Sequence, residues 1–213
     1  MPNPPRFHSA SLDAHPNGQD VQTILDAAFQ AADPAECVRS ALSLQGDCLQ
    51  VLDQEIALQP GRKVAMIAVG KAAPAMAAAA QEILGARLGE ALMIPKTTPQ
   101  THPAGMRVIP GGHPLPTEAS LAAGSAALTL AASLDEKDLI LCLISGGGSA
   151  LMSAPVEGIS LTDLQALTAS LLACGASITE INCLRRRLDR VKGGGLARAA
   201  APARVVSLIL SDV

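Results

Sequence analysis

From Lys63 onward, short apolar runs recur, each closing on a polar or glycine-rich tip, with helical stretches between them. Strands hidden on both faces read as continuous apolar runs, whereas half-exposed strands alternate. The pattern therefore predicts an α/β fold: a parallel sheet with helices on both faces, a Rossmann-like three-layer sandwich. The core has to be assembled almost without aromatic rings. There is no Trp or Tyr, and the two phenylalanines are Phe7 and Phe29. Ala, Leu, Val, Ile and Met must fill it instead.

Residues 1–18, rich in Pro, Asn, His and Ser, are expected to form a loose tail, and residues 19–213 one α/β domain. Two helices should follow the tail. The second starts where Asp33 can cap it, Pro34 suits its first turn and Glu36 favours its dipole. A strand over 64–69 then runs into Gly70-Lys71 and a helix over 72–84. Strands are expected at 91–94 and at 107–109, the latter leading to Gly111-Gly112-His113-Pro114 and a helix over 118–134. The clearest strand, 138–144, ends in Ser145-Gly146-Gly147-Gly148-Ser149. Two further helices are announced by Ser160 three residues before Asp163 and Ser177 three before Glu180, the spacing of a capping box. A last strand at 204–210 ends in Ser211-Asp212.

Several function classes are excluded or disfavoured. The net charge is −3, from 16 basic and 19 acidic residues, and no long like-charge run marks a nucleic-acid partner. Without aromatics there is no platform for stacked bases. No apolar segment approaches the roughly 20 residues of a membrane span. The N-terminus lacks a secretory apolar region. Five cysteines without C-x-x-C spacing read as buried thiols in a reducing, cytoplasmic setting. The partner expected is a small molecule; a homo-oligomer is compatible with the sequence but not specified by it.

In a parallel sheet, ligands bind beyond the carboxyl ends of the strands. Gly70-Lys71, Gly112-His113, residues 145–149 and Ser211-Asp212 all fall there. The glycine run leaves backbone N–H groups unshielded and could curl around an anion, with Ser145 and Ser149 adding hydroxyl donors; a plain turn is the alternative. It is not a Walker A loop, because no Lys follows the glycines. Lys71 stands near a helix N-terminus, where a cation gains nothing from the dipole, so it either meets a ligand anion or carries its charge into water. In the helix after Ser177, Ile178, Ile181, Leu184 and Leu188 form an apolar stripe to be buried. Asn182, Arg185 and Asp189 share another face with Lys192 beyond, to grip phosphate or carboxylate or to sit in solvent. His113 is an acid–base candidate or a turn residue. Asp212 has the position of a magnesium ligand.

Together these segments resemble the glycerate 2-kinases that carry a C-terminal MOFRL domain. The resemblance rests on Val69-Gly70-Lys71-Ala72-Ala73, Gly112-His113-Pro114, LISGGGSAL at 143–151 and GASITEIN at 175–182. Lys192-Gly193-Gly194 with Leu196-Ala197, and SLILSDV at 207–213, complete it. It implies ATP- and magnesium-dependent phosphorylation of D-glycerate to 2-phosphoglycerate. Under it, Lys71, Arg185 and Lys192 are catalytic, and Ser145, Gly146, Gly147, Gly148 and Ser149 hold the ATP phosphates. His113 and Asn182 then meet the substrate, and Asp212 binds Mg2+. The chain departs from the family pattern at Thr117, usually Asp, and at Arg187 and Asp189, usually His and Ser. Family members also run much longer, into a second domain that forms the other wall of the cleft. The chain is thus expected to be an N-terminal domain, incomplete at the C-terminus and a poor catalyst alone. The alternatives are a hydroxypyruvate reductase and a non-catalytic module binding a nucleotide or sugar acid. Gly70-Lys71-Ala72-Ala73-Pro74 does not fit the G-x-G-x-x-G that a Rossmann reductase requires.

Overall fold

The computed structural model describes residues 9–211. Residues 1–8 of the expected tail, and Asp212, lie outside them. The chain opens with α1 (Ala10–Asp13), α2 (Gly18–Ala31) and α3 (Pro34–Ala41). Asp33 caps α3, accepting hydrogen bonds from the N–H groups of Ala35 (2.8 Å) and Glu36 (3.0 Å). An antiparallel meander follows: β1 (Leu42–Gln45), β2 (Cys48–Val51) and β3 (Gln54–Ala57). The sequence reading named no element here.

The rest alternates as expected. The elements in order are β4 (Val64–Val69), α4 (Ala73–Leu84), β5 (Leu88–Ile94), β6 (Arg107–Val108) and α5 (Glu118–Ala132). They continue with β7 (Leu139–Ile144), α6 (Gly148–Leu151), α7 (Leu161–Ala173), α8 (Ile178–Arg187), α9 (Gly195–Ala200) and β8 (Arg204–Ile209). β5 starts three residues before the expected 91, because Leu88 already pairs with Val64. The five parallel strands lie in the order β6-β5-β4-β7-β8.

β4, at the centre, is buried throughout, and its side chains divide by parity. Val64, Met66 and Ala68 join α3, the meander and α4 in one core layer, while Ala65, Ile67 and Val69 join α5 and α9 in the other. Period-two alternation sends successive Cβ atoms to opposite faces, so a continuous apolar strand needs cover on both sides. The small side chains predicted to fill the core do so: Ala73, Ala77, Ala79 and Ala80 of α4 are all fully buried.

Three expectations need correction. Residues 9–18 are not loose throughout, since α1 occupies Ala10–Asp13 and α2 begins at Gly18. Ile178 (65% exposed) and Leu184 (41%) of α8 are not buried; Ile181 is the buried member of the stripe, and Leu188 is half-buried. α8 thus meets the body through a narrower contact than helical periodicity suggested. All five thiols are free as expected, but Cys174, at the end of α7, and Cys183 in α8 are exposed. Cys142 in β7 is the buried one, and desolvation pushes its pKa up to about 11.

Candidate active site

The register of β4 against β7 places Val69 beside Ile144, so the tips after the two strands leave the sheet side by side. They are clasped together. Ser145 N–H donates to Val69 O (2.9 Å), and Lys71 N–H donates to Gly146 O (2.9 Å). The Ser145 hydroxyl accepts from Ala72 N–H (3.1 Å) and directs its own proton at Val69 O (3.4 Å). Gly70 makes this approach feasible. Its φ is +125°, and a Cβ there would lie 2.1 Å from Ser145 Oγ. Ser145 is buried, and its hydroxyl is committed to the clasp. Where the sequence reading expected a donor to phosphate, the structure shows the Ser145 hydroxyl engaged within the loop.

Beyond the clasp, Gly147 takes φ +87°. A Cβ on it would lie 3.1 Å from His113 Cδ2 and 3.6 Å from Lys71 Cε. Three motifs distant in sequence thus meet at one tip. Among the described residues, the N–H groups of Gly146 and Gly147 have no hydrogen-bond partner. Lys71 is exposed and His113 half-buried. The turn bearing His113 is anchored by Ser120, fully buried, whose hydroxyl accepts from Gly112 N–H (2.9 Å) and Thr117 N–H (3.1 Å). Sequence reasoning overlooked Ser120, which looks like any helix-first-turn serine. It also overlooked Lys96, an exposed cation two residues past β5 on the same edge; its signal was its place after a strand.

Next along the glycine loop, Ser149 and Ala150 share a pocket with Pro116, Ser153, Leu164, Thr168, Arg185, Asp189 and Lys192. Arg185 and Lys192 are therefore brought together as expected. Asn182 is exposed and is not among the lining residues. Nor do Asn182, Arg185 and Asp189 lie on one helix face, because α8 stops at Arg187. Asp189 belongs to the segment after it, which bridges to Pro155. Asp189 is 5% exposed, and its carboxylate is saturated. It accepts from the Ser153 hydroxyl (2.5 Å), Ala154 N–H (3.1 Å), Val191 N–H (3.0 Å) and the Lys192 ammonium. Lys192 also donates to Met152 O (3.1 Å). An ammonium has three donors, so one is left for a ligand. Burial holds the Lys192 pKa below its ordinary value, against the opposing pull of Asp189; nearby Arg185 lowers it further.

The described residues hold no cluster of three or more His, Cys, Asp or Glu able to bind a metal ion. None of their helices is long and apolar enough to cross a membrane.

The family described as a domain of unknown function, DUF4147, matches residues 20–213. The chain belongs to that family. Among curated relatives of this DUF4147 domain, the D-glycerate 2-kinase of Thermotoga maritima is 44% identical over 152 residues, covering 71% of this chain and 36% of that one. The glycerate kinase of Rattus norvegicus is 40% identical over 214 residues, 92% of this chain and 40% of that one. A crystal structure of the Thermotoga maritima glycerate kinase superposes with a TM-score of 0.77 at 37% identity, covering 90% of the DUF4147 domain and 43% of that chain. The domain thus spans about two fifths of the length of the curated relatives it matches.

Proposed function

We propose that this domain carries the phosphate- and acceptor-binding wall of a glycerate 2-kinase, which transfers the γ-phosphoryl group of ATP to the 2-hydroxyl of D-glycerate in the cytoplasm. The observation that carries the reading is the convergence of Gly147, His113 and Lys71 at one loop tip. Phosphoryl transfer depends on positioning and charge neutralisation, and asks little covalent chemistry of the protein. The residues present suit that work. The free N–H groups of Gly146 and Gly147 form a concave donor surface for phosphate oxygens, with Gly148 and Ser149 continuing the loop. Lys71 reaches the same tip with a charge that meets no carboxylate among the described residues.

Ser149 joins this tip to the Arg185–Lys192 pocket, so the acceptor would lie in that pocket with its carboxylate against the two cations. His113, beside Gly147, is then placed to hold the acceptor hydroxyl or take its proton. ATP, when bound, supplies the phosphoryl group, and magnesium neutralises its charge. Asp189 is no candidate for that metal, because all its acceptor capacity is used. The assignment of magnesium rests on Asp212. Asn182 is exposed on α8 and outside the pocket lining, and its assignment to substrate rests on the family resemblance alone.

The test is formation of 2-phosphoglycerate from ATP and D-glycerate, assayed with the domain joined to the remaining portion of the Thermotoga maritima relative. Lys71→Met should lower kcat/KM at least about tenfold, roughly 1.4 kcal/mol of transition-state stabilisation. Wild-type kinetics in a folded variant would remove Lys71 from the site.

A further inference from the structure

The pocket at the end of α8 contains a buried acid, Asp189, beside the ammonium of Lys192. We infer that Asp189 is a positioning residue, whose carboxylate holds the Lys192 ammonium charged and fixed in the pocket. Its assignment to acceptor binding rests on the functional reading above; the Asp189–Lys192 coupling does not.

The geometry leaves Asp189 no other task. Its two oxygens accept from four donors, two of them backbone N–H groups of Ala154 and Val191 that fix the carboxylate rigidly. A carboxylate so saturated is not free to act as a base or to bind a metal. Lys192 needs such a partner. Its side chain is only 14% exposed, and a buried ammonium without a counter-charge gives up its proton instead of paying the desolvation cost. Three charged groups face one another in the pocket: Arg185 from α8, and Asp189 and Lys192 from the segment after it. The contributions from α7 (Leu164, Thr168), from the glycine loop (Ser149) and from Pro116 and Ser153 carry no charge. Asp189 favours the ammonium, whereas burial and Arg185 oppose it. A serine at 189 could accept a hydrogen bond, but would leave Lys192 beside Arg185 with no compensating charge.

Removing the carboxylate should therefore move the titration of Lys192 to lower pH, and with it the upper pH limit of anion binding in the pocket. Two measurements read this on the intact chain. The first is trace labelling of amines with acetic anhydride across pH, with the Lys192 peptide quantified by mass spectrometry. In Asp189→Asn, the reactive fraction of Lys192 at a pH below the midpoint should rise at least about tenfold, which is one pH unit. Asp189→Ser should move it the same way, and serves if the Asn variant fails to fold. The second is calorimetric binding of D-glycerate, in which the loss of affinity at high pH should shift down in step with the labelling midpoint. Lys192→Met should abolish that pH dependence.

A labelling midpoint unchanged in folded Asp189→Asn or Asp189→Ser overturns the proposal, whatever glycerate does. A midpoint that moves while glycerate fails to bind wild type upholds the coupling and overturns the acceptor reading of the pocket. Movement of both together supports both.

Discussion

Gly70 and Ser145 show how single residues fix two loop tips against each other. The clasp between the two loop tips depends on an absent side chain at Gly70 and on a hydroxyl that both accepts and donates internally. Gly70→Ala would force a Cβ against Ser145 Oγ and O and hold an L-residue at φ +125°. A conformation so rarely populated costs on the order of 1–3 kcal/mol. The urea midpoint should fall accordingly, with Lys71 displaced from the loop. A midpoint equal to wild type would mean that the tips separate freely. Residue-scale roles were only partly legible in the sequence. Lys71, Arg185, Lys192 and the glycine loop were singled out by type and place. The commitment of the Ser145 hydroxyl, the anchoring by Ser120 and the saturation of Asp189 each depend in part on a distant partner, Ala72 for Ser145 (73 positions away), Gly112 for Ser120 (8) and Ser153 for Asp189 (36), which no local pattern reveals.

At the scale of elements, local chemistry read well where it was self-contained. Both capping boxes form: Ser160 N–H donates to Asp163 (2.8 Å), and Ser177 N–H donates to Glu180 (2.8 Å). Hydrogen bonds from the Ser160 hydroxyl and N–H hold the exposed Asp163 carboxyl below its ordinary value, and those from Ser177 N–H and hydroxyl do the same for Glu180. A carboxyl with a depressed folded pKa contributes stability that is full above its unfolded value and lost as pH falls through the folded one. Asp163→Ala should therefore lower the thermal midpoint at neutral pH, and the gap to wild type should narrow in acid. A gap that stays constant with pH would show that the cap works without its charge. The meander was missed because three four-residue strands joined by two-residue turns offer too short an alternation to stand out. The α8 stripe was overread for the opposite reason: regular apolar spacing identifies a helix, but not whether a neighbour covers it.

For the whole molecule, the core is a sheet covered on both faces, and its strands tolerate no gap. Leu141 in β7 is fully buried between the central strand and β8. Leu141→Ala should cost about 2–5 kcal/mol, measurable by chemical denaturation; a loss well below that range would indicate that the helix layer collapses into the hole. The same sheet order has a kinetic meaning. The two loop tips meet only when β4 pairs with β7, and the Ser145–Val69 contact that seals them joins positions 76 apart in the chain. Between those strands lie β5, β6 and two long helices, all of which must be laid down before the edge exists. Contacts so distant in sequence are reached slowly, because their loop-closure entropy precedes any reward. The clasped edge that carries Gly147, His113 and Lys71 is therefore expected to be a product of late assembly, formed only once the β4–β7 pairing has closed.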